Sequence, residues 1–452
     1  MFRGAIMNLS TIKYGVLVLA VTCALGVRAE IVSVKTDSPT PVAEPVPLGA
    51  DGKPLLDIYG TLSLEDCVNL ALANSPSAVA AQLAVQNAHV NLNLAKSQFL
   101  PTASADFGSR YNMGSSVHDY GTSNVAASAN LTLSGLTDLA RNVRMQQISV
   151  EQAELNFQSV KNDLVRTVRK KYYVLLAAQR TVDIRTQSRE VYEDQYKRTA
   201  EYYRLGLRPK VDVTTAEVNL NNESLRLIRA KNAVKTASAS LANTLGVTTS
   251  AILQVQEDVS FEHPNLTMEE AVKTAYENRP DVQSSVLDLR LGNLRVSQAK
   301  AGYFPTVSLS AGYTKSGESL YLDSENAHVG VGIEIPLFNA FKTYNSVKQA
   351  NIALENTRNN SRSLLNNVFL EVQNAYIALD EAAESIPLAE LNAQKAKENM
   401  ELARGRYNEG IGDMIELKDA EVAYTDAQIS LLTARYDYGS AVADLKQAMG
   451  TY

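Results

Sequence analysis

The chain has 452 residues, 45% of them hydrophobic and 20% charged, with a formal net charge of −6. That length allows two or three ordinary domains, and the acidic balance argues against a nucleic-acid partner, whose phosphates recruit basic surfaces. There is no His-Glu-x-x-His and no glycine-rich phosphate loop, and His89, His118, His263 and His328 are scattered. No catalytic constellation, metal centre or cofactor site can be read, so the sequence points away from an enzyme.

The N-terminus reads as a targeting segment. Arg3 and Lys13 supply positive charge, Tyr14 to Val27 is short and mostly apolar, and Val27-Arg28-Ala29 reads as a signal-peptidase site. Removing the signal peptide, 1–29, leaves 40 basic against 49 acidic residues, a net charge of −9. Cys67 is then the one cysteine left; on a helix among apolar residues it reads as a small core side chain. Residues 30–60 carry Pro39, Pro41, Pro45, Pro47 and Pro54 with no helical period, the pattern of an extended lead-in.

From there the chain repeats itself at an offset of 204 residues. Asn74 and Pro76 recur as Asn278 and Pro280, Tyr172 as Tyr376, Tyr203 as Tyr407, and Gly206 as Gly410. Glu217 recurs as Glu421, Leu241 as Leu445, and Gly246 as Gly450. Two units, 61–250 and 265–452, are joined by a link holding His263 and Pro264. In each, a capping-box signal (Ser63 with Asp66, Thr267 with Glu270) opens a helix that runs to a helix-to-strand junction at Pro101 or Pro305. Proline lacks an N–H, biases the preceding residue away from helix and can open a strand.

Two alternating strands follow each proline. Ala103, Ala105, Phe107 and Tyr111 lie opposite Ser104, Asp106, Gly108 and Arg110, and the run from Val125 to Leu133 completes the first pair. In the second unit Val307, Leu309, Ala311 and Tyr313 share a face, and Val329, Val331, Ile333, Ile335 and Leu337 share another. Loops from Asn112 to Thr122 and Ser316 to Asn326 read as polar and exposed. Runs of about 10–12 residues cross a bilayer when tilted; they equally suit a hairpin with one buried face. Four strands cannot close a barrel, roughly eight being the minimum, and open edges cannot sit in lipid. Membrane strands would have to be pooled among several chains.

Each unit continues with a very long helix, about 138–204 and 340–408. About 66 residues span roughly 100 Å at 1.5 Å per residue, more than a globular core needs. A stripe of Ala153, Phe157, Val160, Leu164, Val168, Tyr172 and Leu175 runs along the first, and Pro387 predicts a kink in the second. Turns around Gly206 and Gly410 lead to return helices, about 211–246 and 413–450. A return helix and the next unit's first helix add to nearly the length of a long one. Stacked end to end, they would run antiparallel beside it.

This order and these motifs resemble the TolC family of outer-membrane efflux channels, over nearly all of 61–452. The resemblance implies an α+β membrane protein in which three protomers pool four strands each in a twelve-stranded β-barrel. Their long helices would form a periplasmic α-helical barrel, and 30–60 a periplasmic lead-in. It implies a passive gated exit duct of a tripartite efflux or type I secretion system, in the outer membrane of a Gram-negative bacterium. Its partners would be its own copies, outer-membrane lipid, a periplasmic adaptor protein and an inner-membrane pump, with no cofactor. Family adaptor contacts match Gly206, Leu207, Gly410 and Ile411. The family's periplasmic gate matches Asp212, Tyr407, Glu416 and Asp419, but its arginine position is Gly412, leaving Arg208 on the other turn as a substitute. On the residues alone, Glu416 and Asp419 also fit a solvated first helical turn placed favourably in the helix dipole. A periplasmic coiled-coil adaptor or scaffold is the alternative reading; it would share the long hairpins but not the strand pairs.

Overall fold

The structure is a computed structural model that describes residues 61–112, 120–131, 136–247, 251–257, 266–318 and 324–452. The signal peptide, the lead-in and the His263-Pro264 link lie outside the described residues, which all fall within one compact unit, Val46–Tyr452. In chain order the elements are β1 (Thr61–Leu62), α1 (Leu64–Asn74), α2 (Pro76–Ser97), β2 (Thr102–Asn112), β3 (Tyr120–Leu131), α3 (Leu136–Arg204) and α4 (Lys210–Thr244). Then come β4 (Gln254–Val255), α5 (Met268–Asn278), α6 (Pro280–Ala301), β5 (Thr306–Glu318), β6 (Ser324–Glu334), α7 (Lys342–Asn408) and α8 (Met414–Ala448).

The capping boxes form as the sequence indicates. Asp66 N donates to Ser63 Oγ at 3.1 Å while Ser63 N donates to the Asp66 carboxylate at 3.2 Å, and Thr267 with Glu270 repeats the exchange. The first helix of each unit, however, is two helices. Ser75 and Arg279 adopt extended backbone (ψ 126° and 125°) because each precedes a proline, which then serves as the first residue of α2 or α6. The strands also reach further into the expected loops, so only 113–119 and 319–323 remain between them outside the described residues. β1 and β4, a two-residue parallel pair, were not foreseen; they are too short to show a period. α7 continues through Pro387, which has no N–H to offer the Ala383 carbonyl.

The four long strands form one antiparallel sheet in the order β2-β3-β5-β6. One row across it runs Ser104, Ser128, Gly312, His328; the next runs Ala105, Ala127, Tyr313, Ala327. One face is thus small and polar. The other presents Phe107, Val329, Val331 and Ile333, each about two-thirds exposed or more.

Two matching cores hold the helices. The first centres on the fully buried Cys67, Val168, Tyr172, Leu175, Leu241 and Leu245; the second on Ala271, Ala275, Val368, Val372 and Leu445. Burying a Val or Leu side chain contributes roughly 1.5–3 kcal/mol each. Burial also pushes the Cys67 thiol up to about 12, so it stays a packing residue. The Tyr172 hydroxyl donates to the carbonyls of Leu62 (3.2 Å) and Gln256 (2.5 Å), hanging the β1–β4 pair on α3.

α3 packs along α2 and α4 on one side and α6 and α8 on the other; α7 packs along α6 and α8. The end-to-end stacks therefore exist, but each joins helices of the same unit rather than of successive units. Gly246 and Gly450 close α4 and α8 with φ +71° and +70°. A Cβ at Gly246 would lie 2.5 Å from the Asn74 carbonyl oxygen, and one at Gly450 3.0 Å from Arg279. Glycine lets each return helix abut the end of its own unit's first helix.

Candidate functional site at the helical turns

α3 and α7 end in the same hydrogen-bonded reversal. Leu207 N donates to Tyr202 O at 2.8 Å and Gly206 N to Tyr203 O at 2.9 Å; Ile411 N donates to Arg406 O at 3.1 Å and Gly410 N to Tyr407 O at 3.2 Å. Gly206 (φ +72°) and Gly410 (φ +76°) supply the left-handed residue this motif requires, with nothing packed against either. Leu205, Leu207, Val211, Ile411 and Ile415 are all more than half exposed, so both turns end in an apolar tip.

Behind the tips the hairpins close on a small core of Ala216, Met400, Ala403, Tyr407, Met414, Leu417 and Ala420. Tyr407 is buried and its hydroxyl has no hydrogen-bond partner among the described residues. Arg208 crosses from the other turn: its guanidinium lies 5.2 Å from the Tyr407 ring centroid, and Nη1 is 3.8 Å from Asp212 Oδ2. Asp212 and Tyr407 are thus brought together through Arg208, without a direct hydrogen bond. At Gly412 a Cβ would meet Tyr407 N at 2.8 Å and Arg406 C at 3.0 Å. The close chain crossing there excludes a side chain where the family pattern carries arginine.

Glu416 and Asp419 are exposed, and each has a cation beside it. Arg406 Nε is 3.6 Å from Glu416 and Lys418 Nζ is 3.5 Å from Asp419. Sequence reasoning missed these countercharges, because nothing in the spacing of Arg406 and Glu416 shows that the turn folds them together. It also passed over Glu421, noted only as a repeat match. Its carboxyl is buried between α3, α7 and α8, accepting from Gln195 Nε2 (2.5 Å) and Arg404 Nη2 (3.3 Å), with Oε2 unpaired. Burial raises its pKa, which the Gln195 and Arg404 contacts oppose. One turn pair higher, Arg185 joins the buried Glu223 of α4 (3.3 Å) to Asp426 of α8 (3.4 Å). At the opposite end, the junctions Pro101 and Pro305 stand directly before β2 and β5. Leu100, Tyr303, Phe304, Phe338 and Phe341 lie exposed at that level.

A sheet with an exposed apolar face, carried on helices of 69 and 67 residues that end in paired turns, is the architecture of a membrane channel with a long helical part. The sequence pattern of the outer membrane efflux protein family matches residues 67–247 and again 271–451, and the chain belongs to that family. It is 22% identical to the outer membrane protein TolC of Vibrio cholerae, over 66% of this chain and 70% of that protein. It is 23% identical to the toluene efflux pump outer membrane protein TtgC of Pseudomonas putida, over 86% of this chain and 83% of that one. Protein CyaE of Bordetella pertussis is 24% identical over 83% and 81%. The fold matches the Campylobacter jejuni CmeC outer membrane channel with a TM-score of 0.77 at 18% identity, covering 86% of this chain and 85% of that one. It also matches the open state of the Neisseria gonorrhoeae MtrE channel, at a TM-score of 0.72 and 18% identity over 86% and 88%. The protein is an outer-membrane channel for efflux or secretion, with its helices on the periplasmic side.

Proposed function

We propose that three copies of this chain form one passive, gated exit duct, each giving four strands to a twelve-stranded barrel. The observation that carries this is the pair of open sheet edges. β2 and β6 each leave one side unpaired over 11 residues, which lipid does not tolerate unless a neighbouring copy pairs with it. The exposed apolar strand face is what such a barrel presents to lipid, and the aromatic residues near Pro101 and Pro305 suit its periplasmic rim. A periplasmic scaffold would have no use for that face. The exposed stripe of α7 (Ile352, Leu370, Ile377, Leu388, Leu391) has apolar counterparts on α2 (Leu83, Val90, Leu94) and α4 (Val218, Leu225, Ile228), as a ring of identical contacts requires.

In this reading Gly206, Leu207, Gly410 and Ile411 dock a periplasmic adaptor through their apolar tips, and the adaptor links to an inner-membrane pump that supplies the energy. Asp212, Tyr407, Glu416 and Asp419 form the gate, with Arg208 as the latch that the glycine at 412 displaces from the second turn. The test is twofold: the mass of the detergent-extracted protein, and its conductance in planar bilayers. A threefold chain mass with discrete channel steps is expected. A monomer released from envelopes by carbonate washing would sink the proposal.

A further inference from the structure

We infer that the periplasmic entrance of this channel is charge-balanced, so that it admits small anionic cargo, such as carboxylates and sulfonates, as readily as cationic cargo. The inference rests on the reading of Glu416 and Asp419 as entrance residues and changes what that entrance selects. Both carboxylates are accompanied. Arg406 Nε lies 3.6 Å from Glu416 Oε1, across the turn from the last turn of α7 to the first of α8. Lys418 Nζ lies 3.5 Å from Asp419 Oδ1. All four side chains are roughly half exposed, so each carboxylate meets solvent with a cation within 4 Å of it.

The first turn follows the same rule. Arg204 is 2.9 Å from Glu201, and Arg208 is 3.8 Å from Asp212. From Glu201 to Asp212 and from Arg404 to Asp419, the two turns together hold six basic and six acidic residues. Repetition around an axis multiplies both signs alike, so a ring of copies stays balanced. A pore selects by the net sign of the ring lining it. Opposite charges 3–4 Å apart cancel within the Debye length, about 8 Å at physiological salt. The strength of each exposed pair is immaterial here; proximity alone sets the field that a passing ion feels.

The experiment is the reversal potential of the purified full-length channel in planar bilayers under a potassium chloride gradient, read as the potassium-to-chloride permeability ratio. Three forms are compared: the native channel, Arg406→Gln with Lys418→Gln, and Glu416→Gln with Asp419→Gln. All four side chains are partly exposed, and recovery of the native oligomer checks folding. The native ratio should lie within about twofold of one, rise about fivefold when the cations are removed, and fall by a similar factor when the carboxylates are removed. A native channel already strongly selective for potassium, losing this with Glu416→Gln and Asp419→Gln, overturns the balance but leaves those residues at the entrance. A ratio moved by neither pair overturns the entrance reading itself, and the inference with it.

Discussion

Arg208→Ala tests the latch most directly. The substitution removes a guanidinium that stacks 5.2 Å above the Tyr407 ring and sits 3.8 Å from Asp212. Side-chain exposures of 29% and 21% for Arg208 and Asp212 place the pair at a partly wet site, so neither contact has its full strength. The stacking contributes about 1 kcal/mol at such a site. The ion pair, at the long end of its range, adds no more than about 0.5 kcal/mol. If the proposed latch releases both contacts on opening, their loss costs about 1.5 kcal/mol per protomer, roughly a tenfold bias for each latch. Single-channel recording of the variant should therefore show open events at least about ten times more frequent than native, the factor for one latch, rising towards about a thousandfold if the three latches of the trimer release together, with open-state conductance unchanged. Open events at native frequency would refute the latch, as would a Leu207→Ala control that opens the channel equally.

Tyr172→Phe removes the hydroxyl donor from the Gln256 carbonyl and leaves the Leu62 carbonyl with Gln256 N (3.0 Å); it should cost about 1–2 kcal/mol and loosen the β1–β4 pair, seen as a lower thermal midpoint and new proteolytic cuts beside 61–62 and 254–255. Gly410→Ala meets open space and costs only its positive φ, about 1 kcal/mol, whereas Gly246→Ala also drives a methyl into the Asn74 carbonyl and should reduce the yield of folded protein several-fold more. Burial raises the Glu421 pKa above its unfolded value, so at pH values between the two the folded chain holds a proton that the unfolded chain has released. Its contribution to stability should grow as pH falls from neutral towards the ordinary carboxyl value, and Glu421→Gln should flatten that trend in thermal melts.

Much of the fold was legible because long elements announce their period. The alternation after Pro101 and Pro305 and the glycines at 206 and 410 fixed strand and turn positions to within a few residues. The break at Pro76 and Pro280 was equally visible as a repeated proline; reading one helix across it ignored the constraint on the preceding residue. β1 and β4 were beyond reach, since two residues carry no pattern and their partners lie nearly 200 positions apart. At the gate, residue types could be matched position by position, but which of them touch depends on how two distant turns meet. That is why Arg208, and not an arginine at 412, lies over Tyr407; Arg406, by contrast, meets Glu416 within one turn, and Lys418 stands next to Asp419 in the chain, a countercharge that was legible.

The abutments at Gly246 and Gly450 make the unit a spliced beam. The short rods are jointed at one level, and the long rods α3 and α7 cross it whole. Each splice is clamped. Tyr172 holds the β1–β4 pair beside the first, and Arg279 grips Asp281 (2.7 Å), Glu371 (2.7 Å) and the Ala448 carbonyl (3.2 Å) at the second. Below the clamps hang arms of 35 residues, about 50 Å of helix. A load applied by a docked partner at Gly206 or Gly410 would meet a joint in the short rods at the splice, and only α3 and α7 would carry it past that level towards the strands.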